Sequence, residues 1–196
     1  MTESTAGPTS EGLPTRDASL ALLREYTKKD GLIKHALAVE AAVRAYAAKL
    51  GGDEQAWALV GLLHDFDYEM FPEPPDHPLK GADILRERGY PEEFVRAILS
   101  HAGYTGVPRE TDCARWLFAV DELCGFCMAC AMVQPDKKIA QVKVKSVKKK
   151  LKKKDFAAKV NREDIHEGAA DLGLELDEII EHVLGALVPA ADDLGL

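Results

Sequence analysis

His64 and Asp65 stand side by side where the apolar run Val60-Gly61-Leu62-Leu63 ends, inside the stretch LLHDFDYE. A chain that carries an imidazole and a carboxylate into its core must compensate both, because burying either one unpaired is costly. Two arrangements do so: an ordinary hydrogen-bonded pair, or a bound metal that takes both groups as ligands. Either arrangement limits the fold, since the compensating partners have to converge on this spot.

The surrounding periodicity is helical nearly throughout, with no alternating strand, so the fold class is all-α. Helices are expected at about Ala18–Lys29, with Gly31 as a stop, and at Leu32–Leu50, ended by Gly51-Gly52. Asp53 is placed to cap a third helix that leads into the doublet. Pro72, Pro74, Pro75 and Pro78 make Phe66–Pro78 a loop. Further helices follow over Leu79–Arg88, from Pro91 to about His101, over Thr111–Val133, and over Arg162–Leu172 and Asp177–Leu187. The start, MTESTAGPTSEGLPTRD, has no secretory pattern, and residues 1–16 read as a disordered tail. No apolar run approaches the ~20 residues that cross a bilayer, so the expectation is a cytoplasmic protein with no membrane partner.

Charge is unevenly distributed. Residues 136–159 hold eleven Lys against Asp136 and Asp155, a local +9; with a net charge of −8, the remainder carries −17. Such a chain is not basic overall, as a general nucleic-acid binder would be, but the segment can steer an anion locally. Cys124, Cys127 and Cys130 have the three-residue spacing of an iron–sulfur run, yet the further cysteine and proline of the bacterial pattern are missing. Positions i, i+3 and i+6 also suit small core-facing residues of one helix, and with Cys113 that is the expected role.

Four of the six histidines, His35, His64, His77 and His101, lie in the first half of the chain, on helices, at helix ends or in loops beside them. Asp121 sits in WLFAVDEL, where apolar neighbours carry its carboxylate inward. Each has an ordinary explanation taken singly: a core histidine, a loop residue, a surface helix end, a buried acceptor. Several such groups in one small domain point to a shared site. His35, the doublet His64-Asp65 and Asp121 match in order the H…HD…D signature, and the chain here resembles the HD-domain superfamily of metal-dependent phosphohydrolases. HPLKGADIL around His77 and AILSHAGY around His101 are similar to the intervening histidine segments of two-metal members. From about Leu20 onward the chain resembles a bacterial and archaeal group of predicted HD hydrolases.

The resemblance implies a compact HD-domain helical bundle, with a metal-binding core over residues 17–134 and the Lys-rich segment and C-terminal helices, 135–196, packed on the same domain. It implies that His35, His64, Asp65 and Asp121 bind a first divalent ion, with Asp65 bridging to a second held by His77 and His101. The ions would be Mn, Fe, Co, Ni, Zn or Mg, one or two in number. The implied activity is that of a phosphomonoesterase or phosphodiesterase acting on a nucleotide or other small phosphate ester by metal-activated hydroxide. The alternatives are an HD-type di-iron oxygenase similar to myo-inositol oxygenase, and a non-catalytic metal-stabilised binding module.

Phe66-Asp67-Tyr68-Glu69 departs from the Ile-Gly-Lys that follows the doublet in one subset, so no lysine stands at position 68. Asp67 and Glu69 are candidates for orienting ligands or moving a proton beside His64 and Asp65, or are simply exposed acids. Lys80 and Arg109 follow closely on expected ligands and are candidates for binding substrate phosphate, or are solvated surface groups. The lysine segment KVKSVKKKLKKKD reads as a solvated helix face, or as a basic rim for an anionic nucleotide or an RNA end.

Overall fold

A computed structural model describes residues 6–196. Among these the chain forms ten helices and no strand: α1 Arg16–Tyr26, α2 Asp30–Leu50, α3 Glu54–Leu63, α4 Asp76–Glu87, α5 Glu92–Leu99, α6 Asp112–Met132, α7 Val144–Leu151, α8 Arg162–Leu172, α9 Leu176–Leu187 and α10 Ala191–Leu194. None of them is long and apolar enough to cross a membrane.

α3 is the centre of the bundle. Every residue from Ala56 to Leu63 is buried, and Asp53 caps the helix by accepting from the Ala56 amide at 3.0 Å. Packing it against α2 requires Gly61: a Cβ there would lie 2.9 Å from the Glu40 Cα and amide nitrogen. That close approach brings His35, on α2, towards His64, at the end of α3. α6 lies across both helices, and α8 packs on its far side through Gly168, whose Cβ would meet the Ala119 Cα at 2.6 Å. α9 covers α2 and α6, and α7 lies against α6 and α9. All four cysteines are free and buried along α6. Burial pushes their thiols up, Cys130 to about 11, which keeps them protonated at neutral pH.

Some boundaries differ from the sequence expectation. Gly31 does not stop a helix; it lies in the first turn of α2, which begins at Asp30. α1 ends at Tyr26, and the turn to α2 is held by Glu69, whose carboxylate accepts from the Lys28 and Lys29 amides at 2.7 and 2.9 Å. His77 is extended (φ −79, ψ 136) just before Pro78, because a proline excludes the helical region for the residue ahead of it.

The expected disordered tail needs correction where it is described; its residues 1–5 lie outside the described part. Ala6 accepts from the Cys113 amide at 3.2 Å, Pro8 is buried, and the Ser10 amide and hydroxyl both donate to Asp53 at 2.7 Å. Residues 6–10 therefore strap the N-terminal ends of α3 and α6 together, and Arg16 already belongs to α1.

Candidate metal centre

Six side chains from five places in the fold meet in one region. His35 comes from the second turn of α2, and His64 and Asp65 from the end of α3. His77 comes from the break ahead of Pro78, His101 from just past α5, and Asp121 from the middle of α6. They form two groups, His35–His64–Asp121 and Asp65–His77–His101, each with three donor atoms within 4.8 Å of one another.

In the first group the Asp121 Oδ1 lies 2.9 Å from the His35 Nε2 and 3.3 Å from the His64 Nε2, and the two Nε2 atoms are 3.3 Å apart. In the second the Asp65 Oδ1 lies 3.2 Å from the His77 Nε2 and 3.3 Å from the His101 Nε2, again with the nitrogens 3.3 Å apart. The other Asp65 oxygen faces the first group, 3.6 Å from the His64 Nε2. Asp65 thus reaches both groups.

The far side of three imidazoles is held in place. His64 Nδ1 donates to the Gly61 carbonyl at 2.8 Å and His101 Nδ1 to the Ile98 carbonyl at 2.5 Å. His77 Nδ1 donates to the Asp67 Oδ1 at 2.8 Å. A carbonyl only accepts, so the proton of each neutral ring sits on Nδ1 and Nε2 presents a lone pair. Nε2 atoms that face each other at 3.3 Å need a proton or a metal cation between them. Fixing the outer nitrogen by a carbonyl or carboxylate is also how metal-binding histidines are oriented. Separations of 2.9–3.3 Å suit a tetrahedral or octahedral ion with bonds of ~2.1 Å, whose adjacent ligands lie about 3.0–3.4 Å apart. The donor set fits one or two divalent ions.

Electrostatics agree with that geometry. Burial opposes a charge on His64, but Asp65 and Asp121 outweigh it and lift its pKa to about 10. Burial likewise opposes a charge on His77, and Asp65 with Asp67 lifts it to about 9. Burial would raise Asp65 and Asp121, yet the neighbouring histidines hold both carboxyls well below the usual range. The centre stabilises positive charge.

Of the other expected site residues, Asp67 belongs here, and Glu69 and Arg109 are drawn elsewhere. Asp67 is fully buried and accepts from both His77 and the Gly81 amide, the latter at 2.9 Å. Its position is that of an orienting group. Glu69 turns away to the α1–α2 turn, and those amide bonds hold its carboxyl below its ordinary range, which opposes a role as proton donor. Arg109 is engaged by Glu167 and Asp171, its guanidinium lying 3.8 Å over the Phe118 ring. It fastens α8 to α6 instead of facing the six residues. Lys80 is exposed on α4.

Three residues at the centre were not foreseen as part of it. Tyr104 donates to the His77 carbonyl at 2.7 Å, and Tyr68 meets the His77 ring edge-on. Glu122, beside Asp121, has its carboxyl pushed up to about 7 by burial and by that neighbour. An acid adjacent to an expected ligand is the only sequence signal for it. A cavity of about 990 Å³ lies elsewhere, lined by Leu37, Ala41, Arg44 and Tyr46 of α2 with Trp116 and His182.

Comparison with a family model points to the same segment. Residues 32–124 match the family model of the HD domain. Two curated relatives, both Ribonuclease Y, from Nitratidesulfovibrio vulgaris strains DP4 and Hildenborough, are 35% identical over 98 residues, covering 48% of this chain and 18% of theirs. A tRNA (cytidine(56)-2'-O)-methyltransferase of Thermoplasma volcanium is 32% identical over 91 residues, covering 46% of this chain and 27% of its own. The chain thus spans about a fifth to a quarter of the length of these relatives. No solved structure matches it.

Proposed function

Because residues 32–124 of this chain belong to the HD-domain family, we propose that it is a metal-dependent hydrolase of phosphate esters, acting on a nucleotide or another small phosphorylated compound. The observation that carries this reading is the convergence of two pairs of Nε2 atoms to 3.3 Å, each pair beside a carboxylate, with three of the four rings locked through Nδ1. His35, His64 and Asp121 would hold one ion and His77 and His101 the other, with Asp65 contributing an oxygen to each. Bound there, divalent ions supply the Lewis acidity that lets water attack phosphorus near neutral pH and that offsets charge on the phosphate oxygens.

The chain's own residues set the geometry. Asp67 keeps the His77 ring turned inward, and the Gly61 and Ile98 carbonyls do the same for His64 and His101. With Glu69 committed to the α1–α2 turn, the leaving oxygen takes its proton from water. Relatives named for RNA match about half of this chain, so a nucleotide at the end of an RNA chain belongs among the candidate substrates beside free nucleotides.

The test is metal quantification on protein purified without chelators, followed by a phosphate-ester panel with Mn, Co, Ni and Mg. Metal-dependent phosphate or nucleoside release is expected, and it should vanish in both His64→Ala and Asp65→Ala. Activity retained in both variants would refute the reading. Iron-dependent oxygen consumption without phosphate release would replace it by the oxygenase alternative.

A further inference from the structure

The family match ends at residue 124, and the lysine-dense segment lies wholly outside it. α7 resolves the segment into two faces. Val147 and Leu151 are buried against the bundle, with Val144 beside them partly buried. Lys145, Lys148, Lys149 and Lys152 stand at i, i+3, i+4 and i+7, so they form one exposed stripe about 10.5 Å long. The four lysines with Val144 and Asp177 line a groove of about 620 Å³. Asp177 is its one carboxylate, and it is bridged to Lys148 at 2.5 Å. Among the described residues, Lys145, Lys149 and Lys152 have no ion-pair partner. Their mutual repulsion works against the helix, and an anion lying along the stripe would relieve it.

The chain beyond α7 is held in shape from within. Arg162, at the start of α8, donates to the carbonyls of Leu151, Lys153, Ala157 and Val160 at 3.0–3.4 Å, and to that of Phe156. One buried-side guanidinium thus gathers five carbonyls and orders the turn that carries Lys152, Lys153 and Lys154 before any ligand arrives. An ordered surface loses less freedom on binding.

We propose that this lysine stripe is a docking surface for the phosphate backbone of a nucleic-acid strand, separate from the metal centre. Regularly spaced like charges on a helix match a regularly spaced polyanion, and lysines bind phosphates as point charges without reading bases. A membrane surface fits less well, because the apolar residues of α7 are turned into the bundle and leave nothing to insert. A protein partner would need an aromatic or aliphatic anchor, and Val144 is the groove's one apolar liner.

The test uses the full chain with EDTA present, so it is read independently of catalysis. Fluorescence anisotropy follows labelled RNA and DNA strands of about 12 nucleotides as salt is varied. Four phosphate contacts predict a log–log slope of about −2.8, an affinity loss of about 50-fold between about 50 and 200 mM salt. The triple variant Lys145→Gln, Lys149→Gln, Lys152→Gln should flatten the slope to about −0.7. Arginine at the same three positions should restore it. His64→Ala, which disables only the proposed hydrolase centre, should bind as the parent does, so loss of hydrolysis with retained binding leaves this proposal standing. Binding of neither strand, an unchanged slope in the glutamine variant, or tighter lysine-dependent binding to phosphatidylserine vesicles or polyglutamate would overturn it.

Discussion

Substituting Gly81 by alanine should weaken one half of the proposed metal centre and spare the other. A Cβ at Gly81 would sit 2.7 Å from the Asp67 Cγ and 2.8 Å from its Oδ2, well inside van der Waals contact. Asp67 is fully buried on a short side chain, so it yields only by leaving its bonds to the Gly81 amide and His77 Nδ1. The His77 ring then loses the acceptor that fixes its tautomer and aim. Loss of such an outer partner typically lowers metal affinity 10–100-fold, or about 1.4–2.8 kcal/mol. The His35–His64–Asp121 group should be untouched, since His64 is locked by the Gly61 carbonyl. Alanine in place of glycine inside a helix ordinarily stabilises it by up to ~1 kcal/mol, so a loss here would come from the clash. Asp67→Asn is the companion variant: it keeps the volume but turns an amide donor towards one of two donors. The assay is calorimetric titration of metal-free protein with Mn, resolved into two sites. Unchanged affinity at the weaker site in both variants would refute the chain of contacts from Gly81 through Asp67 to His77.

Two further outcomes follow from the electrostatics and from the corrected residues. In metal-free protein His64 titrates near 10 and His77 near 9, above the ordinary 6.5. The folded state therefore holds more protons than the unfolded one; this stability is fully present below pH 6.5 and is lost as pH rises through 9 to 10. Neutral imidazoles bind metal, so Mn affinity should climb over the same window while the melting temperature of EDTA-treated protein falls; a flat affinity between pH 7 and 9 would contradict this. Arg109→Ala should lower thermal stability by about 1–3 kcal/mol, because it frees Glu167 and Asp171 and uncovers Phe118, yet leave kcat and KM per folded molecule unchanged. A raised KM at unchanged stability would return Arg109 to the substrate.

Helix type and order were legible in the sequence because apolar periodicity is a local record of burial. Boundaries were less so where the deciding partner is distant. Gly31 looked like a stop, but the break between α1 and α2 is made by Glu69, some forty residues along, accepting the Lys28 and Lys29 amides. The Pro-, Gly- and Ser-rich start looked unable to bury enough surface to order itself. What orders residues 6–10 is not its own composition but the waiting ends of α3 and α6.

The same distinction separates the site residues. A metal ligand is constrained by chemistry: it must be a histidine or carboxylate, delivered inward by an apolar stretch, and its outer nitrogen must be held. For His64 and His101 that hold comes from the carbonyl three residues earlier, Gly61 and Ile98, so ligand and support are written together in one helical turn. Asp67 is nearly as local, ten residues from His77. Glu69 and Arg109 were judged by nearness in sequence to those ligands, and for long charged side chains nearness in sequence says little. Arg109 finds Asp171 and Glu167 at separations of 62 and 58 residues, through helices whose placement no local pattern encodes. The six side chains that converge were therefore readable from short segments, whereas the reach of each long charged side chain had to wait for the tertiary packing that brings its partner within range.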